Sequence, residues 1–123
     1  MKKLLFTLAL ILSALSIQAA DINGISNAFK NGNAASITES MDTTVDIAVP
    51  GATKKGSSTD AVAILNQFFQ TNPPTGFTIA HHADKKESGF IVGKLTTAAK
   101  EFRVNITYTV KDSNILIQSI RIE

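Results

Sequence analysis

Hydrophobic positions along the chain follow two spacings, one helical and one alternating, and the change between them falls at Pro73-Pro74. In Asp21 to Gly32, Ile22, Ile25 and Phe29 stand three and four residues apart, which marks one face of a helix. Asp21 suits the start of that helix and Asn31-Gly32 its end, since both of those residues tolerate positive φ. Gly24 and the asparagines make it weak alone, so tertiary contact must hold it. A second, short helix is predicted from Asn33 to Met41, with Ala34, Ile37 and Met41 inward. Thr43 to Pro50 then alternates, Val45, Ile47 and Val49 against Thr44, Asp46 and Ala48, as a half-buried strand does. Gly51 to Ser58 reads as a short hairpin return with Lys54-Lys55 in solvent.

The most apolar helical stretch begins at Ser58 or Thr59 as N-cap, with Asp60 complementing the dipole of the first turn. Ala61, Ile64, Leu65 and Phe68 form its stripe, and Val62 and Phe69 widen that stripe on both flanks. So broad a stripe suits a helix lying in a concave surface. Pro73 ends the helix and drives Asn72 out of helical geometry.

Beyond it every segment reads as strand. Phe77 to His82 sets Phe77, Ile79 and His81 against Thr78, Ala80 and His82, and Ala83 to Ser88 is a charged turn. Phe90 to Thr97 carries Gly93 in its middle, the mark of a bulge or a close backbone approach. After a turn at Thr97 to Lys100, Phe102 to Val110 points Phe102, Val104, Ile106, Tyr108 and Val110 inward, and Arg103, Asn105, Thr107 and Thr109 outward. A turn at Lys111 to Asn114 leads to the last strand, where Ile115 and Ile117 are out of phase with Ile120 and Ile122. That slip predicts a bulge near Gln118-Ser119. Helices followed by hairpin-linked strands define an α+β fold with a strongly bent antiparallel sheet.

The N-terminus changes the charge and the address. Met1-Lys2-Lys3 is a short positive head, Leu4 to Ile17 is apolar apart from Thr7, Ser13 and Ser16, and Ala19-Ala20 are small. This order is that of a secretory signal peptide spanning residues 1–19, leaving a single domain over 20–123. The apolar run Leu4 to Ile17 falls short of the roughly 20 residues of a membrane span. Lys2 and Lys3 belong to the leader, so 12 basic residues become ten, equal to the 10 acidic ones. A neutral mature chain lacks the positive field of a nucleic-acid binder. With no cysteine, an exported domain of this kind is held by packing alone.

Two small helices, a strand, a long helix and a meander of strands resemble the nuclear transport factor 2-like fold. More narrowly, Phe68-Phe69, Asn72-Pro73-Pro74, Phe77, Gly93 to Thr97 and Ile117 to Ile122 resemble a family of small exported bacterial proteins of unknown function with that fold. The resemblance implies a curved sheet wrapping the long helix into a cone. In enzymes of that fold an Asp, sometimes with a His or Tyr, sits inside the cone, and many such proteins pair through the outer sheet face.

Against that background the candidate chemistry is thin. His81-His82 is the one histidine pair, and neighbours on a regular strand point to opposite faces, so the two cannot chelate one ion. His82 and Asp84 can share a face, but two ligands make a weak site, and we expect neither metal nor cofactor. The inward polar residues are expected to be His81 and Tyr108, with no carboxylate beside them to act as base. We therefore expect a non-catalytic exported domain that binds a small apolar ligand or a protein. The ligand pocket would be lined by Phe68, Phe69, Phe77, Ile79, His81, Val104, Ile106 and Tyr108. Arg103, Asn105, Thr107 and Thr109 would form a partner or homodimer contact. The competing expectation is a small isomerase- or dehydratase-type enzyme using His81 with Tyr108. Asp42-Thr43-Thr44 also fits a short acceptor pattern for O-linked glycans in some bacteria, with Thr43 as the acceptor.

Overall fold

The computed structural model describes residues 22–123, so the expected leader and the Asp21 cap lie outside the described residues. The first helix, α1, covers residues 22–31. It stops at Gly32, whose φ of 66° lets the chain reverse, and Asn33 N–H donates back to Ala28 O at 2.8 Å. A 3-10 helix, Ala34–Ser40, buries Ala34 and Ile37. Strand β1, Met41–Val49, buries Val45, Ile47 and Val49 as its alternation predicts.

Pro50 and Gly51 (φ 90°) turn the chain into β2, Ala52–Ser57, which pairs with β1 from Val49↔Ala52 to Thr44↔Ser57. The expected hairpin return is thus itself a strand, and Lys54 and Lys55 stand exposed on it. The N-cap of α2, Ser58–Thr71, is Ser57, one residue ahead of the earliest position expected. Ser57 Oγ accepts from Asp60 N–H and Asp60 Oδ2 accepts from Ser57 N–H, both at 3.2 Å. This reciprocal cap needs its acidic residue three positions after the cap, which selects Ser57 over its neighbours. The Ser57 N–H, and then the Lys54 ammonium at 3.6 Å, hold the Asp60 carboxyl below its ordinary 3.8.

Four long strands follow: β3, Pro74–Asp84; β4, Ser88–Thr97; β5, Glu101–Lys111; and β6, Asn114–Ile122. The sheet order is β2-β1-β6-β5-β4-β3. β1 runs parallel to β6, so the sheet is mixed rather than wholly antiparallel. The cause is connectivity: β6 closes the meander beside the first strand of the chain instead of forming a hairpin with it. Asp112 (φ 52°) and Ser113 (φ 65°) form the tight turn between β5 and β6.

Two register shifts matter. Thr107 pairs with Ser119 but Tyr108 with Ile117, so Gln118 is the extra residue of the predicted bulge, and Ile115, Ile117, Ile120 and Ile122 are all buried. Ile79 pairs with Gly93 but His81 with Val92, so Ala80 is a second extra residue, in β3. Opposite it, Gly93 leaves the space that the Phe77 ring occupies, and any Cβ there would strike that ring. Bulges and glycines of this kind bend and twist a sheet.

The bent sheet closes over an aromatic cluster. Phe68 of α2 meets Phe102 edge-on with ring centroids 5.1 Å apart, and Phe29 of α1 meets Phe69 at 5.6 Å and Phe77 at 5.2 Å. These contacts tie both helices to β3 and β5 with large buried area and favourable ring geometry. Truncating Phe68 to alanine removes the contact with Phe102 and leaves a cavity. We expect it to lower the unfolding free energy by about 3–5 kcal/mol, read as a lower urea midpoint at unchanged slope.

Candidate functional site

The bulge at Ala80 reverses the phase of β3. Before it Phe77 and Ile79 face the helices; after it His82 and Asp84 take that face, opposite Ile91 and Gly89, while His81 and Ala83 turn outward opposite Val92 and Phe90. His81 was expected on the helix-covered side with Tyr108. It is exposed on the outer face instead, its ring 5.6 Å from that of Phe90. His82 takes that side of the sheet instead, while remaining exposed.

That swap brings together a carboxylate and the phenol. Asp84, Gly89 and Tyr108 are successive partners across β3, β4 and β5. Because Gly89 has no side chain, Asp84 and Tyr108 meet over it, and the Tyr108 hydroxyl donates to Asp84 Oδ1. A Cβ at Gly89 would lie within 2.5 Å of Tyr108 Cζ and 2.7 Å of Ala83 O. Asp84 Oδ2 in turn lies 3.5 Å from His82 Nε2, with both side chains about two-fifths exposed (His82 43%, Asp84 39%). A carboxylate on the helix-covered side was not expected; the inserted residue that puts it there leaves no trace in the alternation of so short a segment. Tyr108 itself is 1% exposed. Burial first, then the hydrogen bond to Asp84 and its negative charge, hold the phenol well above its ordinary 10.0. A phenol held this firmly as a neutral donor anchors Asp84, and Asp84 orients His82.

The other expected pocket residues are mostly core. Phe69, Phe77, Val104 and Ile106 are buried and Ile79 is half-buried. Phe68 forms the floor of a cleft of about 240 Å³ between the last turns of α2 and the Pro50-Gly51 turn, rimmed by Ile64, Gln67, Thr71 and Asn72. Tyr108 borders a cleft of about 310 Å³ with Lys85, Ser88, Phe90, Thr107 and Gln118. Among the described residues no group of three or more His, Cys, Asp or Glu side chains could hold a metal, and no helix is long and apolar enough to cross a membrane.

The outer face carries the expected contact residues. Arg103 and Thr107 are exposed, Asn105 and Thr109 half-buried, and the Thr107 and Ser119 hydroxyls share a hydrogen bond. Two more clefts lie on this face. One of about 340 Å³ sits beside the Ala80 bulge against Val92, Lys94 and Arg103; one of about 290 Å³ is bounded by Asp46, Asn105, Thr107, Ser119 and Arg121. Phe90, 38% exposed, is the large hydrophobic side chain left in solvent. Thr43 is exposed at the start of β1, its N–H donating to Asp42 Oδ1 at 2.7 Å.

The family described as a domain of unknown function, DUF4783, matches residues 22–123. A DUF4783 family protein of known structure from Bacteroides ovatus ATCC 8483 is 31% identical, with a TM-score of 0.75 over 80% of this chain and 90% of its own. One from Bacteroides uniformis ATCC 8492 is 29% identical, with a TM-score of 0.77 over 82% and 94%. A nuclear transport factor 2-like protein of unknown function from Silicibacter pomeroyi DSS-3 is 13% identical, with a TM-score of 0.61 over 94% and 96%, and is similar in fold alone. No curated protein matches the chain.

The Tyr108 anchor has a pH signature. Below pH 10.0 the phenol is neutral whether the chain is folded or not, so its contribution is whole. Above it the unfolded phenol ionises while the folded one resists, so stability falls as pH rises. We expect the unfolding midpoint of the wild type to drop above pH 10.0 and that of Tyr108→Phe to drop less. Absorbance of the single tyrosine, in a chain without tryptophan, reports the ionisation directly.

Proposed function

The chain belongs to the DUF4783 family, a domain of unknown function, and we propose that it is an exported, non-catalytic binding domain that works through the outer face of its sheet. The observation that carries this reading is the contrast between the two faces. The space between sheet and helices is occupied by the domain's own side chains, from Phe29, Phe68 and Phe69 to Tyr108. The outer face instead leaves Phe90 in solvent between open clefts.

The competing enzyme reading needs His81 beside Tyr108, and the two lie on opposite faces of the sheet. The remaining trio of His82, Asp84 and Tyr108 has the order of an oriented base. However, of the three only Tyr108 lines one of the clefts described above, and the His82 imidazole that would act as base does not. A small apolar ligand inside the cone is also disfavoured. The cleft over Phe68, at about 240 Å³, is smaller than the roughly 300–1,000 Å³ of small-molecule sites. Export is supported by the positive, apolar and small-residue order of residues 1–19.

Native mass spectrometry and light scattering of the protein isolated from the envelope fraction of its own host test the reading. The expected result is a chain starting at Ala20 that retains a partner, a second copy or a small molecule, and loses it in Phe90→Asp and Asn105→Arg. Retention unchanged in both variants would overturn it. The same spectra report on Thr43: a mass above that of residues 20–123 that disappears in Thr43→Ala marks that hydroxyl as modified.

A further inference from the structure

We propose that the outer face is a saccharide-binding surface, taking a short neutral sugar chain laid across β1, β6, β5 and β4. The register supplies two complete rows of outward side chains. Asp46, Ser119, Thr107, Phe90 and Ala83 are successive partners from β1 to β3, and Ala48, Arg121, Asn105, Val92 and His81 form the row beside them. Side chains in such rows stand on neighbouring strands about 4.8 Å apart, so Asp46 to Phe90 spans roughly 14 Å, the scale of a few sugar rings.

The rows are chemically divided. On β1, β6 and β5 they present an acceptor-only carboxylate at Asp46, a donor-only guanidinium at Arg121, a mixed amide at Asn105 and two hydroxyls. On β4 and β3 they present Phe90, Val92, Ala83 and the His81 ring packed 5.6 Å from Phe90. A sugar has the same division: vicinal hydroxyls, each donor and acceptor, around its rim, and a C–H face that stacks on an aromatic ring. Planar carboxylate, amide and guanidinium groups pair with neighbouring hydroxyls two at a time.

Charge decides the class further. Asp46 and Arg121 oppose each other across the cleft of about 290 Å³, so the cleft favours neither an anionic nor a cationic ligand. Among the other charges of this face Arg121 lies 3.8 Å from Glu123 and Lys94 3.7 Å from Glu101, while Lys55 opposite Asp46 and Arg103 opposite Lys94 stand exposed, so both signs are interspersed instead of forming one continuous basic track. The side chains of Asp46 and Asn105 make no hydrogen bond among the described residues, although Asn105 is half-buried. The Thr107–Ser119 hydroxyl bond fixes the floor between them.

The inference rests on the reading of the outer face as the working surface, and the experiment separates the two. Isotope-labelled protein purified from its host is titrated with cellohexaose, maltohexaose and mannohexaose, and with oligogalacturonate as the anionic control, while amide shifts are followed by NMR. At least one neutral hexasaccharide is expected to shift Phe90, Asn105, Thr107 and Arg121. Binding should be about tenfold weaker in Asn105→Ala and in Phe90→Ala, with the thermal midpoint unchanged in both. The inference is overturned if none of the three neutral chains shifts this face, if the shifts survive both substitutions, or if the anionic control binds better. If no saccharide binds but Phe90→Asp still releases a protein or second copy, the inference fails and the outer-face reading stands. If neither occurs, both fail.

Discussion

Two single-residue bulges, at Gln118 and Ala80, decide which side chains β6 and β3 turn toward the core. A strand alternates with a period of two, so one extra residue sends everything beyond it to the opposite face. Were Gln118 held in regular alternation instead of bulged out, Ile115 and Ile117 could not share the buried face with Ile120 and Ile122, and half of the apolar content of β6 would be in water. Were Ala80 held in regular alternation instead of bulged out, His81 would lie over the core while Asp84 pointed outward, leaving the Tyr108 hydroxyl with no acceptor. An unmet buried hydroxyl costs about 1–3 kcal/mol, so the bulge in β3 and the phenol on β5 constrain each other although a strand lies between them. Gly89 and Gly93, both on that intervening strand, make the pairing and the bend sterically possible.

The bend then determines what α2 does. Its capping box fixes where the helix starts and Pro73 where it ends, so Phe68 and Phe69 arrive at set positions above Phe102 and Phe29. A curved sheet of this kind encloses a volume that related folds can leave open. Here five phenylalanines and Tyr108 contribute to filling it. The helix is therefore a packing element.

Much of this was legible in the residues. The 3-4 spacing of Ile22, Ile25 and Phe29, the nine-residue alternation from Phe102 to Val110 and the phase slip between Ile117 and Ile120 name their elements because each has enough apolar residues to expose its period. What escaped lacks that redundancy. β2 carries no apolar stripe at all, because it is an edge strand with all but Gly56 exposed, so only pairing with β1 defines it. The Ala80 bulge is hidden because the residues after it, His81, His82, Ala83 and Asp84, carry no hydrophobic phase to break. As a result His81 was assigned the inward place that belongs to His82, and the Asp84–Tyr108 bond could not be foreseen. Parallel pairing of β1 with β6 is likewise a long-range choice that no local pattern records.

The division of the outer face matters because of what the rest of the surface avoids. A sheet face that meets only water is expected to be polar throughout. Here Phe90, Val92 and Ala83 stand together on β3 and β4, beside Asp46, Ser119, Thr107, Asn105 and Arg121 on β1, β6 and β5. The sheet's free edges, by contrast, are guarded: β3 by Pro74 and the Ala80 bulge, β2 by Lys54 and Lys55, features that oppose strand-to-strand association. Both edges are thus blunted against strand addition while the outer face keeps Phe90 exposed, and that contrast is what supports the recognition role proposed for this face.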